Sequence, residues 1–422
     1  MTGTGGGRSR PRPAAVVVIV LSQWLGTSLW FSPSGATEDL SRWLRLDSGD
    51  FGWLLAATQL GFILGTLVLT LTGVADRFAA ERVFAAGALA GAVLNCAWTW
   101  ADPGFAVAWA ARFGVGIALA GIYPMGMKMI VRRVGPNAGW ALGWLVAMLT
   151  LGTAMPHILR SAGAALPWQA VIWGSSVLAL LAAVLVLLIQ EPRPAAPPPS
   201  SATPPERPSR SVRTILALAD FRASCAAYLG HMWELYAFWS VVPLLCARIT
   251  ATRGDIAAVA ALSAGVIAAG SLGCVLGGIL SRRHGSEAIA ALALAGSGLT
   301  CLGYPLIPDG AAGLKTGVLA LWGFLVVADS PQFSAMSARY VPSRLLGTAL
   351  TAQNSAGFLV TVVSILLLQN AMDAWGDSAL WLLLPGPALG LLAMRPLLTR
   401  PRTAAAVLDH HPHAARQKEA RS

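Results

Sequence analysis

Twelve runs of about twenty apolar residues follow one another along this 422-residue chain, and no other feature restricts its fold as much. They lie at roughly 14–36, 50–73, 83–101, 104–131, 140–160 and 168–190, and again at 223–247, 256–280, 287–306, 316–338, 348–371 and 379–399. About 20 helical residues, rising 1.5 Å each, cover the ~30 Å hydrocarbon core of a bilayer. Inside that core no water satisfies a free amide or carbonyl, so each run must form a helix that bonds its own backbone. Only 12% of residues are charged, against roughly 25% in soluble domains. The expectation is an all-α membrane protein with twelve transmembrane helices and the lipid bilayer as its solvent.

The polar gaps set the topology. Of 30 lysines and arginines, Arg42, Arg45, Arg160, Arg248, Arg253 and Lys315 fall on one side, Arg112 lies deep within a run, and the remaining 23 fall on the other side. Basic loops stay cytoplasmic, so both termini and the central gap are expected there, in a cytoplasmic (inner) membrane. The formal charge of +11 is then a topology signal, and no nucleic-acid partner is expected. Arg8, Arg10 and Arg12 ahead of the first run resemble the start of a secretory signal. The run continues to about Gly35 without a clean cleavage site, however, and reads as a retained first span. The segment 191–213, with Pro197, Pro198 and Pro199, cannot build a core and reads as a semi-extended cytoplasmic linker. The division is 1–190 as an N-terminal six-helix bundle, 191–213 as linker, 214–399 as a C-terminal six-helix bundle and 400–422 as a cytoplasmic tail. Five cysteines, all within apolar runs and without CxxC spacing, read as small buried hydrophobes.

The halves echo each other. Trp24 and Trp30 return as Trp233 and Trp239, Gly61 and Gly65 as Ala269 and Gly273, and Pro124 as Pro331, at offsets of 209, 208 and 207. Such agreement points to two copies of a six-helix unit, and parallel repeats are a transporter architecture with the site between the halves.

After the second run the chain reads Gly73-Val-Ala-Asp76-Arg77-Phe-Ala-Ala-Glu-Arg82, and the fourth carries Arg112-Phe-Gly-Val-Gly116. The first resembles the G-x-x-x-D-R-x-G-R-R loop of the major facilitator superfamily, with its glycine one place nearer Asp76 and Ala79 in place of the second glycine. The other resembles the family's R-x-x-x-G. The equivalent loop in the second half, Gly278 to Gly285, has Arg282 where the aspartate belongs. The resemblance covers nearly the whole chain. It implies the six-plus-six fold of that family, a cytoplasmic gating loop at Asp76 and Arg77, a role for Arg112 in proton coupling, and a central cavity lined by runs 1, 4, 7 and 10.

Intramembrane polar residues concentrate on those four runs. Gln23 and Thr27 share a face of run 1; Tyr123 follows Arg112 in run 4; run 7 holds His231, Glu234 and Tyr236; run 10 holds Asp329 and Gln332; Asn354 is added from run 11. Only two of nineteen carboxylates, Glu234 and Asp329, are intramembrane. A charge there costs about 2.5–3.5 kcal/mol even on lenient scales, which makes a functional site the default reading. Glu234 with His231 is the preferred protonation site and Asp329 the second. The alternative for either acid is permanent pairing with a base such as Arg112.

The expected function is a secondary active transporter moving a small polar or amphipathic solute by alternating access and using protons, working as a monomer without cofactor or metal. Met125, Met129, Met155 and His157 leave a transition-metal transporter as an alternative, and a transporter-derived sensor is another. No Walker A, HExxH or nucleophile motif supports ATP drive or an enzyme.

Overall fold

The computed structural model describes residues 13–100, 103–134, 139–189, 208–250, 255–342 and 345–399. Every regular element among them is helical. The first half contains α1 (Pro13–Thr27), α2 (Ser48–Thr72), α3 (Ala80–Ala97), α4 (Gly104–Val134), α5 (Gly139–Ala162) and α6 (Gln169–Leu187). The second contains α7 (Ala219–Ile249), α8 (Ile256–His284), α9 (Ser286–Gly303), α10 (Ala312–Tyr340), α11 (Leu346–Trp375) and α12 (Pro385–Leu398).

Ten segments of the described residues are long and apolar enough to cross a membrane, or eleven when the pair Ala14–Thr27 and Ser32–Leu44, bent by 53°, counts as one. Twelve runs were expected, and the difference has a simple origin. The segment Leu346–Leu398 has 53 residues, which as one rod would reach ~80 Å, far beyond a bilayer. It holds two rods instead. α11 runs parallel to α7, since Tyr228 meets Asn354 and Ser240 meets Gln369. α12 runs antiparallel to α7, since Gly230 lies on Gly386 and Ala227 on Gly390. Gly376, at φ 57°, opens the 3-10 turn Gly376–Leu383 that reverses the chain. Each expected run therefore has its helix.

Most of the linker expected at 191–213 lies outside the described residues, as does the tail 400–422. Its end differs from the expectation: Pro208–Ala217 is a helix, and Ile215 packs with Phe221, Val341, Leu345 and Ala349. The apolar stripe on that short helix lets it lie on the bundle rather than extend.

Two breaks recur at equivalent places. α4 interrupts after Ala120 and restarts at Tyr123; α10 interrupts after Ala328 and restarts at Ser330. Pro124 and Pro331 are each the second residue of the restarted helix. A proline there has no amide to give and its ring crowds the carbonyl four residues back. The carbonyl so released in α10 is that of Val327, and it accepts from the Cys274 thiol at 3.3 Å.

The repeat is visible in the packing. A methyl added to Gly65 would come within 2.7 Å of Ala120 Cβ, and one added to Gly273 within 3.3 Å of Ala328 Cβ. At Gly116 the added atom would stand 2.7 Å from the Phe62 amide nitrogen, and at Gly323 it would stand 3.0 Å from the Val266 carbonyl carbon. α2 thus packs on α4 as α8 packs on α10, backbone to backbone, which is where small residues serve membrane helices. Valine at Gly323 is expected to cost about 1–3 kcal/mol through overpacking and to lower the melting temperature. Valine at Gly265, with nothing within 4 Å of the added carbon, should leave it unchanged; equal melting of both variants would refute this.

Two antiparallel seams join the halves. Along α2 and α11, Ser48 bonds Asp373, Gly52 abuts Gln369 and Thr70 Oγ1 lies 3.5 Å from Thr351 Oγ1. Between α5 and α8, Ser271 Oγ donates to the Ala147 carbonyl at 2.7 Å. We call the side where α1 begins and α12 ends the terminal face. On the opposite face, Asp377 receives Arg248 at 2.6 Å and Lys315 at 2.8 Å, tying the α11–α12 turn to α7 and α10. The Lys315 ammonium, also on Asp309 at 2.6 Å, holds that exposed carboxyl below the ordinary range.

Candidate functional site

Between the halves lies a narrow cavity of about 30 Å³, room for a water or two, so the halves must part further to admit a solute. Its polar wall is Tyr123 from α4, Tyr228 and Tyr236 from α7, Ser330 and Ser334 from α10, and Asn354 from α11. Val146, Leu149, Met232, Leu235 and Val327 supply apolar surface, and Trp239 and Phe358 the remaining rings. No described side chain in this wall carries a charge. Tyr228, Met232, Leu235 and Trp239 recur at helical spacing and so present one stripe of α7 to the space.

Towards the opposite face the space is closed by rings from both halves. Trp30 stacks on Phe358 at 5.5 Å between centroids and tilts against Tyr236 at 5.9 Å. Phe31 meets Tyr236 and Trp239 at 6.0 Å each, and Phe62 meets Phe358 at 4.5 Å. Trp30 and Trp239, recognised as repeat mates in the sequence, are thus partners in one layer. Aromatic pairs at these separations add about 0.5–1.5 kcal/mol beyond area burial.

Three of the expected cavity residues, Tyr123, Tyr236 and Asn354, stand in the wall. Three others lie outside it. Gln23 is fully buried, and neither its amide nitrogen nor its oxygen has a hydrogen-bond partner among the described residues. Thr27 Oγ1 donates to the carbonyl of Gln23 at 2.8 Å, within its own helix. Gln332 is buried with its amide nitrogen unpartnered among the described residues. Tyr228, Ser334 and Trp239 were not among the expected site residues; the α7 stripe was the signal for Tyr228 and Trp239.

The acids are also arranged differently from the expectation. Glu234 and His231 do not form a pair. Glu234, 1% exposed, turns into the second half, where Trp322 Nε1 donates to Oε1 and Ser297 Oγ to Oε2, both at 2.7 Å. His231 faces Asp329 instead, Nδ1 to Oδ1 2.8 Å, within ion-pair distance but out of line for a hydrogen bond. The imidazole packs against the rings of Tyr228 at 6.0 Å and Phe333 at 5.6 Å, which also touch each other at 5.9 Å. Asp329 fills the break of α10, next to wall residue Ser330, and His231 precedes wall residue Met232. The pair is therefore one residue behind the cavity on both helices.

Arg112 pairs with neither acid. It is fully buried in the first half, where Nη2 donates to the carbonyls of Leu29 (3.1 Å) and Trp30 (2.6 Å) and to Thr58 Oγ1 (2.9 Å). Nη1 donates to Ser32 Oγ (3.2 Å) and Asn95 Oδ1 (2.8 Å). Of the gating loop, Arg77 is exposed at the end of the short helix Val74–Arg77, while the side chain of Asp76 lies outside the described residues.

Residues 15–365 match the profile of the Major Facilitator Superfamily. The chain is 27% identical over 206 residues to the 3-(3-hydroxy-phenyl)propionate transporter of Escherichia coli strain K12, over 47% of this chain and 50% of that protein. It is 30% identical over 122 residues to the niacin transporter NiaP of Acinetobacter baylyi, over 26% of this chain and 27% of that protein. The chain thus spans half or less of the length of these two relatives. A solved bacterial homologue of the human lysosomal transporter Spinster, inward-facing and unoccupied, superposes with a TM-score of 0.65 at 15% identity, over 93% of this chain and 96% of that one. At that identity the likeness concerns the fold alone.

Proposed function

The chain belongs to the Major Facilitator Superfamily and is a multi-pass secondary transporter rather than an enzyme; from that premise we propose that it carries a small amphipathic organic solute by alternating access, driven by protons held on the His231–Asp329 pair. One observation carries this reading: an uncharged, hydroxyl-rich cavity between the halves, with a buried ionisable pair directly behind two of its wall helices. The relatives named for hydroxyphenylpropionate and niacin support a ring-bearing solute.

The coupling follows from the cost of burying net charge. A desolvated ion is stable only when paired, and an unmatched one is penalised by several kcal/mol. Whenever the pair is sealed from water, the number of protons it holds must leave it near neutrality. When water reaches it, a proton can enter or leave the pair as a whole. Movement of Ser330 as solute enters would shift Asp329, the adjacent residue at the helix break, against His231. The aromatic layer of Trp30, Phe31, Tyr236 and Trp239 is the barrier that must part before the opposite face gains access. The positive-inside asymmetry supports a cytoplasmic terminal face, and the membrane we assign is the cytoplasmic (inner) one. Asp76 and Arg77 are then on the cytoplasmic side, where a gating loop would act.

Purified chain in sealed proteoliposomes, given a panel of small ring-bearing solutes and an imposed pH gradient, should accumulate at least one of them. Flux that ignores the gradient would remove the proton coupling. Ligand binding with no flux across a sealed membrane would replace transport with sensing.

A further inference from the structure

We propose that the solute taken by the central cavity is uncharged when bound and presents a hydrogen-bond acceptor beside its ring, as a carboxamide does; this rests on the reading of that cavity as the transport site. The wall residues are the first reason. Rings of Tyr236, Trp239 and Phe358 offer faces and edges to a flat solute, and the hydroxyls of Tyr123, Ser330 and Ser334 add donors and acceptors around it. None of the described wall residues is Asp, Glu, Lys, Arg or His. A carboxylate or ammonium entering here would leave water without meeting an opposite charge, which is penalised far more than burial of a neutral amide.

The nearby charges do not repair this. Arg112 already makes five hydrogen bonds inside the first half. His231 has Asp329 as its counter-ion. Glu234 takes two donors away from the cavity.

The second reason is an unmet donor. Trp239 is 1% exposed, lines the cavity, and its Nε1–H has no hydrogen-bond partner among the described residues. Indole nitrogen can only donate, and a buried donor without an acceptor is unfavourable. An acceptor oxygen or nitrogen on the solute would satisfy it. This group distinguishes a neutral acceptor-bearing ring from a bare hydrocarbon, while the absent cation distinguishes it from an acid.

The test compares matched pairs at neutral pH: nicotinamide with nicotinate, and benzamide with benzoate. Binding is measured by thermal stabilisation of the full chain, and movement by exchange in sealed proteoliposomes. We expect at least one amide to bind about tenfold or more tightly than its acid. Trp239→Phe, which keeps a ring and removes the donor, should weaken that amide roughly three- to tenfold, the loss of one hydrogen bond between neutral groups. If that variant does not fold, removing the acceptor from the solute serves in its place: toluene in place of benzamide on the unsubstituted chain, with a similar expected loss. Acids binding as well as amides, an amide unaffected by the loss of the donor, or no binding by any of the four would overturn the inference. Acid-preferring exchange would do so while leaving transport intact. An amide that binds but never crosses the sealed membrane would remove the transport reading and leave this one standing.

Discussion

Asp329→Asn is expected to abolish accumulation driven by a pH gradient while leaving exchange at equal pH within about threefold of the unsubstituted protein. One pH unit stores about 1.4 kcal/mol per proton, enough for roughly tenfold accumulation, and the variant should bring that ratio to unity. Asparagine keeps the size of the side chain at the α10 break, so Ser330 and the cavity wall should remain in place. What it removes is the group that titrates opposite His231, 2.8 Å away. Glu234→Gln provides the contrast. Its amide oxygen can still accept from Trp322, and the Ser297 hydroxyl can turn to accept from the new amide nitrogen, so both bonds persist. Gradient-driven accumulation should therefore survive in Glu234→Gln. Uptake that survives in Asp329→Asn and fails in Glu234→Gln would return the coupling role to the acid that the sequence favoured.

The different partners of those two acids show what the residues alone could and could not reveal. Apolar runs, basic gaps and a small offset between halves made the bundle legible, because the bilayer admits few other ways to satisfy a backbone. Even the sites of the helix breaks were marked, by Pro124 and Pro331. Side-chain partners were not. Residues three apart on a helix lie about 60° apart around its axis, near enough to be read as one face. In α7 that arc spans two different environments: His231 reaches the α10 break, while Glu234 reaches Trp322 of α10 and Ser297 of α9. No spacing rule separates these. Similarly, Gln23 and Gln332 were polar residues on the right helices, yet rotation about those helices turns them out of the wall, whereas Tyr228 turns in.

Arg112→Leu should lower the stability of the first half by about 3–5 kcal/mol, the scale for stripping a partner from a buried charged network, and should loosen the aromatic layer as well. The guanidinium sits against the turn that follows α1, just beyond Thr27, where buried backbone carbonyls need donors from outside a helix. Leu29 and Trp30 supply those carbonyls, and the same group reaches Thr58 on α2 and Asn95 on α3. Asn95 in turn donates to the Ile172 carbonyl at 3.1 Å and to Ser176 Oγ at 3.0 Å on α6. Removing the fork leaves the Trp30 carbonyl to find a new donor in a dry interior, while the Asn95 amide oxygen keeps only the Ser32 hydroxyl. It also frees the segment that carries Trp30 and Phe31 into the layer. Arg112→Lys separates the two effects: a lysine keeps the charge, but its single nitrogen cannot span the five acceptors. The lysine variant is expected to fold with a smaller melting shift, while a cysteine placed by Phe31→Cys becomes more reactive to a polar thiol reagent added from the opposite face. Unchanged melting in Arg112→Leu would show that the network contributes little, and unchanged labelling in the lysine background would disconnect Arg112 from the aromatic layer.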